Sequence, residues 1–149
     1  MQDRIERSIE VEAPLARVWK AITDHEQFGE WFQVKLEGPF AVGEVSLGQM
    51  TYPGYEGFKW EATVEVMDEE RLFAFRWCPY GDRPDLEEVS QNTTLVEFRF
   101  EVIPNGTRVV VTESGFSALP DDGYRLDTLR QNSEGWEEQV QNIKSYVES

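Results

Sequence analysis

The chain changes its hydrophobic period within residues 4–22, RIERSIEVEAPLARVWKAI, and this change decides the fold. The first half alternates apolar and polar positions, as a half-buried strand does, with Arg7 on the apolar side. Pro14 ends the strand and suits the first turn of a helix. The apolar residues of the second half share one helix face: Leu15, Val18, Trp19 and Ile22. The first two elements are therefore a strand and a helix, and we expect Leu15 and Trp19 to be buried.

A second short helix is predicted immediately after the first. Asp24 can cap it, and Gln27 three residues later completes a capping-box pattern. We expect Gly29 to end this helix. His25 has polar neighbours in the sequence, so it is predicted to be exposed.

The middle of the chain reads as a run of antiparallel strands. Alternating apolar positions and turn residues predict five or six of them, including segments near 44–51, 58–66, 72–77, 95–102 and 107–116. Asn105-Gly106 is a tight hairpin signal between the last two. Cys78–Asn92 is a polar connection whose length is typical of functional lids or mobile segments.

A long helix is predicted to close the fold, from about residue 123 onward. Its apolar residues recur at helical spacing: Leu126, Leu129, Trp136, Val140, Ile143 and Val147. Helices segregated against an antiparallel sheet define an α+β fold. We expect residues 1–149 to form one domain, in which a curved sheet grips the long C-terminal helix and two short helices follow the first strand.

Composition excludes several functional classes. The chain has 14 Lys and Arg against 29 Asp and Glu, for a net charge of −15. Such a surface repels phosphate backbones and anionic head groups, so no nucleic-acid or membrane partner is expected. Cys78 is the single cysteine, so no internal disulfide can form. No apolar run suits a signal peptide or membrane span, which predicts a cytoplasmic protein.

Several stretches of the chain resemble the START-like helix-grip (SRPBCC) superfamily, and within it the activator of heat-shock-protein-90 ATPase homologue family. The matching segments are IEVEAP at 9–14, VWKAITD at 18–24, WF at 31–32, TLVEF at 94–98, TRVVVTESGF at 107–116, GW at 135–136 and NIKSYVE at 142–148. The resemblance spans nearly the whole chain and implies the helix-grip fold. The family includes co-chaperone domains and small-ligand binders, so either activity is compatible with it.

Two charged residues are predicted to face the interior. Glu113 has the parity of inward-pointing Val109 and Val111, and Arg7 lies on the apolar side of the first strand. The resemblance implies that the first and last strands are neighbours, so we expect Arg7 and Glu113 to pair inside the sheet. Such a pair could be structural, could anchor a ligand or, with Glu113 as acid or base, could be catalytic.

Aromatic residues at positions predicted to face the interior suggest a ligand-binding cavity. The predicted wall comprises Trp60, Phe75, Trp77, Phe98 and Trp136. We expect these side chains to surround a cavity of roughly 300 Å³ or more, the lower end for ligand sites. Gly135 lies mid-helix, where we expect it to permit close contact between helix and sheet.

The leading functional hypothesis is binding of a small hydrophobic or aromatic molecule between sheet and helix. The predicted ligand-binding residues are the aromatic wall with Arg7 and Glu113. The sequence offers one His and no Cys cluster, so no metal and no cofactor are expected. A chaperone-linked or stress-related interaction domain and a polyketide cyclase or hydrolase-like enzyme remain as alternatives. The chain could bind a protein partner, and it could be a monomer or a homodimer.

Overall fold

The computed structural model describes residues 3–78, 93–119 and 123–149, without the side chains of 123–127. Within these ranges the fold is α+β, as predicted. The elements in chain order are β1 (Arg4–Val11), α1 (Leu15–Thr23), α2 (His25–Phe32), β2 (Val34–Leu36), β3 (Val45–Met50), β4 (Lys59–Asp68), β5 (Leu72–Trp77), β6 (Thr94–Ile103), β7 (Gly106–Ser114), a short 3-10 turn (Phe116–Ala118) and α3 (Gly123–Val147). Residues 79–92 of the predicted polar connection Cys78–Asn92 lie outside the described residues.

The described strands form one antiparallel sheet in the order β1-β7-β6-β5-β4-β3-β2. Consecutive strands are neighbours, except that β1 crosses to pair with β7. The adjacency of the first and last strands is thus confirmed. In their register Ile5 lies opposite Glu113, and Arg7 lies opposite Val111. The inward faces of these two strands therefore point to the same interior, against which α3 packs.

The second helix is longer than its sequence pattern predicts. The cap is confirmed, because the Asp24 carboxylate accepts a bond from the Gln27 backbone N–H at 3.1 Å. Gly29, however, does not end the helix, which continues to Phe32 and is followed by Gln33 in the left-handed region at φ 67°. Gly29 is required for another reason: a Cβ there would lie 2.4 Å from the Val34 carbonyl oxygen. The close approach of β2, and not a helix end, explains this glycine.

The first helix is rotated relative to its predicted orientation. Its fully buried residues are Val18, Ala21 and Ile22, whereas Leu15 and Trp19 are only half-buried. Trp19 packs edge-on against Phe100, with ring centroids 5.3 Å apart, near the margin of the core. His25 is also half-buried. The predictions that Leu15 and Trp19 are buried and that His25 is exposed are therefore wrong, because all three side chains have intermediate exposure. The spacing of apolar residues identified the buried face of α1, but the packing of this helix on the sheet decided which residues of that face are most deeply buried.

The hairpin between β6 and β7 is confirmed, with its turn shifted by one residue. Ile103 pairs with Gly106, so Pro104 and Asn105 form the turn and Gly106 opens β7. A Cβ on Gly106 would lie 2.0 Å from the Val11 carbonyl oxygen. The glycine therefore allows the end of β1 to approach the hairpin.

We predict that Gly106→Ala lowers the free energy of unfolding by about 1–3 kcal/mol, because backbone must move to relieve the overlap. Chemical denaturation monitored by circular dichroism measures the change. Gly38→Ala is the matched control: a Cβ there meets nothing within 4 Å among the described residues, so a change within about 0.5 kcal/mol is expected. Equal effects of the two substitutions would contradict the proposed close approach.

Candidate functional site

The interior face of β7 carries a fully buried carboxyl group. Strand alternation directs Val109, Val111 and Glu113 to the same face, and all three have 0% exposure. The predicted inward parity of Glu113 is therefore confirmed. A carboxyl group in this position loses its water, so its burial depends on hydrogen bonds from the protein.

Side chains from three elements donate hydrogen bonds to Glu113. The Trp77 indole N–H, at the end of β5, donates to Oε2 at 2.8 Å, and the Thr94 hydroxyl of β6 bonds the same oxygen at 2.5 Å. From α3, the Trp136 indole donates to Oε1 at 2.8 Å and the Asn132 amide lies 3.0 and 3.2 Å from the two oxygens. We call these five residues the Glu113 cluster. Indole N–H groups can only donate, so the cluster is built around an acceptor.

Burial nevertheless controls the acidity of this group. Desolvation raises the pKa of the Glu113 carboxyl above its ordinary value of 4.5, against the opposing effect of the hydrogen bonds from Thr94, Trp77, Trp136 and Asn132. Neutral donors stabilise the charged form, but they do not replace a full counter-charge. No cationic side chain in the described ranges forms an ion pair with Glu113.

The predicted Arg7–Glu113 pair does not form. The Arg7 Nε lies 2.9 Å from the Glu137 carboxylate, at an angle that falls short of a hydrogen bond, and its other nitrogens bond the Ser133 hydroxyl at 2.5 Å and the Glu6 carbonyl at 2.8 Å. Parity was right, but Arg7 is two residues along β1 from the position opposite Glu113. The long side chain reaches a partly exposed position beside α3, where its Nε is buried against Glu137. Arg7 is therefore not part of the Glu113 cluster.

The predicted aromatic wall is assembled beside the cluster. Trp60, Phe75, Phe98 and Trp136 are fully buried, whereas Trp77 is half-buried. Ring centroids lie 5.9 Å apart between Trp77 and Trp136, and 5.8 Å apart between Phe98 and Trp136. The rings are thus in mutual contact, and a cavity of ligand size among them stays a prediction.

Gly135 differs from its predicted role. No atom of the described residues lies within 4 Å of a Cβ built there, so close contact between helix and sheet does not explain it. It is half-buried and precedes Trp136, and Asn132 on the preceding turn is half-buried too. Trp77 and Asn132 are thus the half-buried members of the Glu113 cluster, whereas Glu113 itself is fully buried.

Sequence reasoning missed three residues of this region: Thr94, Asn132 and Phe32. Thr94 has the inward parity of Val96 and Phe98, and Asn132 lies one helical turn before Trp136, so both positions carried a usable signal. Phe32 gave none, because its ring reaches the wall from α2, with centroids 5.4 Å from Trp60 and 6.2 Å from Trp136.

A separate groove of about 300 Å³ lies between α2 and β2. Its lining includes His25, Glu26 and Lys35 and no member of the Glu113 cluster. Among the described residues, no group of three His, Cys, Asp or Glu side chains is placed to hold a metal ion. None of the described helices has the length and apolar character that a membrane crossing requires.

The architecture defines a helix-grip domain with an interior carboxyl group, and comparison with known proteins agrees. The model of the family described as activator of Hsp90 ATPase homolog 1-like proteins matches residues 12–148. The chain belongs to this family, within the START-like (SRPBCC) superfamily. No curated protein matches its sequence.

Solved structures share the fold at low sequence identity. A protein of Mesorhizobium loti is 17% identical with a TM-score of 0.77, covering 97% of this chain and 96% of that one. The Aha1 dimer from Colwellia psychrerythraea is 16% identical with a TM-score of 0.72, covering 99% and 97%. DynU16, from the dynemicin biosynthetic locus, is 22% identical with a TM-score of 0.77, and this whole chain spans 48% of it. At these identities the likeness shows the fold alone.

We predict that Glu113→Gln lowers the free energy of unfolding by about 1–3 kcal/mol, because the new amide faces N–H donors and leaves one without an acceptor. Because the pKa of Glu113 is raised in the folded state, the free energy of unfolding of the wild type also depends on pH. The folded state favours the protonated acid, so this contribution is fully present below pH 4.5 and is lost as pH rises through the raised pKa. The stability difference between wild type and Glu113→Gln should therefore narrow as pH rises. Urea denaturation at several pH values measures it, and a widening difference would contradict the raised pKa.

Proposed function

We propose that this protein binds a small apolar or aromatic molecule between the sheet and α3, beside the Glu113 cluster. The observation that carries the proposal is the arrangement around Glu113: a buried carboxyl group, aromatic rings next to it, and the half-buried donors Trp77 and Asn132, with Gly135 on the same helix. Ligand sites commonly combine an apolar lining with a few oriented polar groups. Here the rings would supply contact area and the cluster would supply orientation.

The arrangement supports binding better than catalysis. A general acid or base must come within hydrogen-bond reach of the reacting group. Glu113 has 0% exposure, and each of its oxygens already accepts bonds from side chains of the cluster. Asn132 and Trp77 would meet a ligand before Glu113 does. The carboxyl group would thus act on a ligand through its donors and its charge.

The space at Gly135 provides the first test of ligand binding. We predict that 2-naphthalenemethanol, a neutral aromatic probe, quenches tryptophan fluorescence saturably in the wild type. Gly135→Leu should weaken this binding at least tenfold, because its side chain would occupy the space that a Cβ at Gly135 finds open.

Gly135→Ala is the matched control. It should keep most of the affinity and raise the free energy of unfolding by about 0.5–1 kcal/mol, because Gly is unfavourable inside a helix. Thermal melts establish that both variants fold. Absence of saturable quenching in the wild type, or undiminished affinity in a folded Gly135→Leu variant, would contradict the proposed site.

Protein interaction is a second candidate function, favoured by the outer face of β3. Ser46 and Gly48 point inward, so Val45 and Leu47 point outward, with 54% and 40% exposure. A partner could bury these side chains, and the net charge of −15 would favour a partner with a basic rim. The family description suggests an Hsp90 chaperone as that partner.

We predict under this second candidate that the chain stimulates the ATPase of a purified Hsp90 and that Leu47→Asp abolishes the stimulation. Val102→Asp is the control, since Val102 is 68% exposed on a different strand. A steady-state ATPase assay measures both variants. Sedimentation of the chain alone tests for a homodimer, the other occupant of this face. No stimulation and a monomeric chain would contradict the interaction role.

A further inference from the structure

Within the described part of the chain, the carboxyl group of the Glu113 cluster has neutral donors and no cationic partner. The groups that face it are Trp77 from β5, Thr94 from β6, and Asn132 and Trp136 from α3, and its cross-strand neighbour on β1 is Ile5. None of these side chains carries a positive charge. When the carboxyl group ionises, the interior therefore holds a negative charge without a counter-charge among the described residues.

The arginine on the neighbouring strand β1 is engaged elsewhere. Arg7 lies on the strand beside Glu113, but its guanidinium contacts Glu137 and Ser133 on α3. The Arg7–Glu137 pair is locally balanced and partly exposed, so solvent screens it. The charge of Glu113 is fully buried and is screened much less.

The cluster also places aromatic rings around this charge. Trp77 and Trp136 direct their N–H edges to the carboxyl oxygens, and their ring centroids are 5.9 Å apart. The faces of such rings carry partial negative charge and attract cations, Trp most strongly. The ring faces and the carboxylate would thus both attract a cationic ligand and repel an anionic one.

We infer that the ligand of this interior site is an organic cation with an apolar or aromatic body, such as an arylalkyl amine, held by the Trp77 and Trp136 faces within the field of Glu113. This inference rests on the proposed function and names its ligand class. The cation supplies the charge that the cluster lacks, and its apolar body contacts the aromatic wall. Fatty acids and other apolar anions are disfavoured ligands.

Three probes of matched shape test the charge preference: 2-naphthylmethylammonium, 2-naphthalenemethanol and 2-naphthoate. Their dissociation constants are measured by tryptophan quenching at pH 7 and constant physiological ionic strength. We expect the ammonium to bind about tenfold or more tightly than the alcohol, and the naphthoate to bind most weakly. Raising pH through the raised pKa of Glu113 should tighten binding of the ammonium, which stays protonated, and leave the alcohol unchanged, because the carboxyl group ionises in this direction.

Two variants assign the preference to the interior charge. Glu113→Gln should bring the ammonium and the alcohol to within about threefold of one another. Glu134→Gln, which removes an exposed carboxylate from the same helix, should keep the wild-type preference. If Glu113→Gln does not fold, the pH profile of the wild type still decides the question.

The outcomes separate this inference from the proposed function. If the alcohol binds as tightly as the ammonium at every pH, the charge preference is wrong and the apolar site stands. If the preference survives Glu113→Gln, or is lost in Glu134→Gln, surface charge is its source and the inference is overturned. If none of the three probes binds, the proposed function itself is contradicted.

Discussion

The burial of the Glu113 carboxyl group is the constraint on which the interior of this domain depends. An acceptor without water must find donors, and here they come from β5, β6 and α3. Each donor can reach Glu113 only if its own strand has the observed register and if α3 lies across the sheet. The cluster therefore specifies how the helix and the sheet fit together, in addition to any stability it contributes.

The two charged residues predicted to face the interior, Arg7 and Glu113, differ in their surroundings. Arg7 on β1 forms its ion pair with Glu137 of α3, and the carboxylate side of this pair is exposed to water. The interior acid is left with neutral donors, and its pKa rises because desolvation outweighs their effect. The hydrogen bonds to this acid therefore come from neutral side chains on three different elements of the fold.

Much of the candidate site was visible in residue parity. Alternation along β7 located Glu113 inside, and alternation along β5 and β6 located Trp77 and Phe98 on the same interior. The partners of Glu113 were not predictable in the same way. Parity says which face a side chain leaves from, but the reach and direction of a long side chain such as Arg7 depend on what packs above it. The sequence likewise did not explain two glycines. Gly29 is required by the close approach of β2 and not by a helix end, and Gly135 faces open space and not a close helix–sheet contact.

By itself the sequence determined the order of elements, the α+β class, the acidic surface and the inward face of each main strand, because these follow from local periodicity and composition. Only the tertiary structure decided that Thr94, Asn132 and two tryptophans meet at Glu113 while Arg7 turns to Glu137. Those contacts join residues far apart in the chain, and their geometry is set by strand register and by the position of α3. Hydrogen bonds act over about 3 Å, so a displacement of one residue in register removes them.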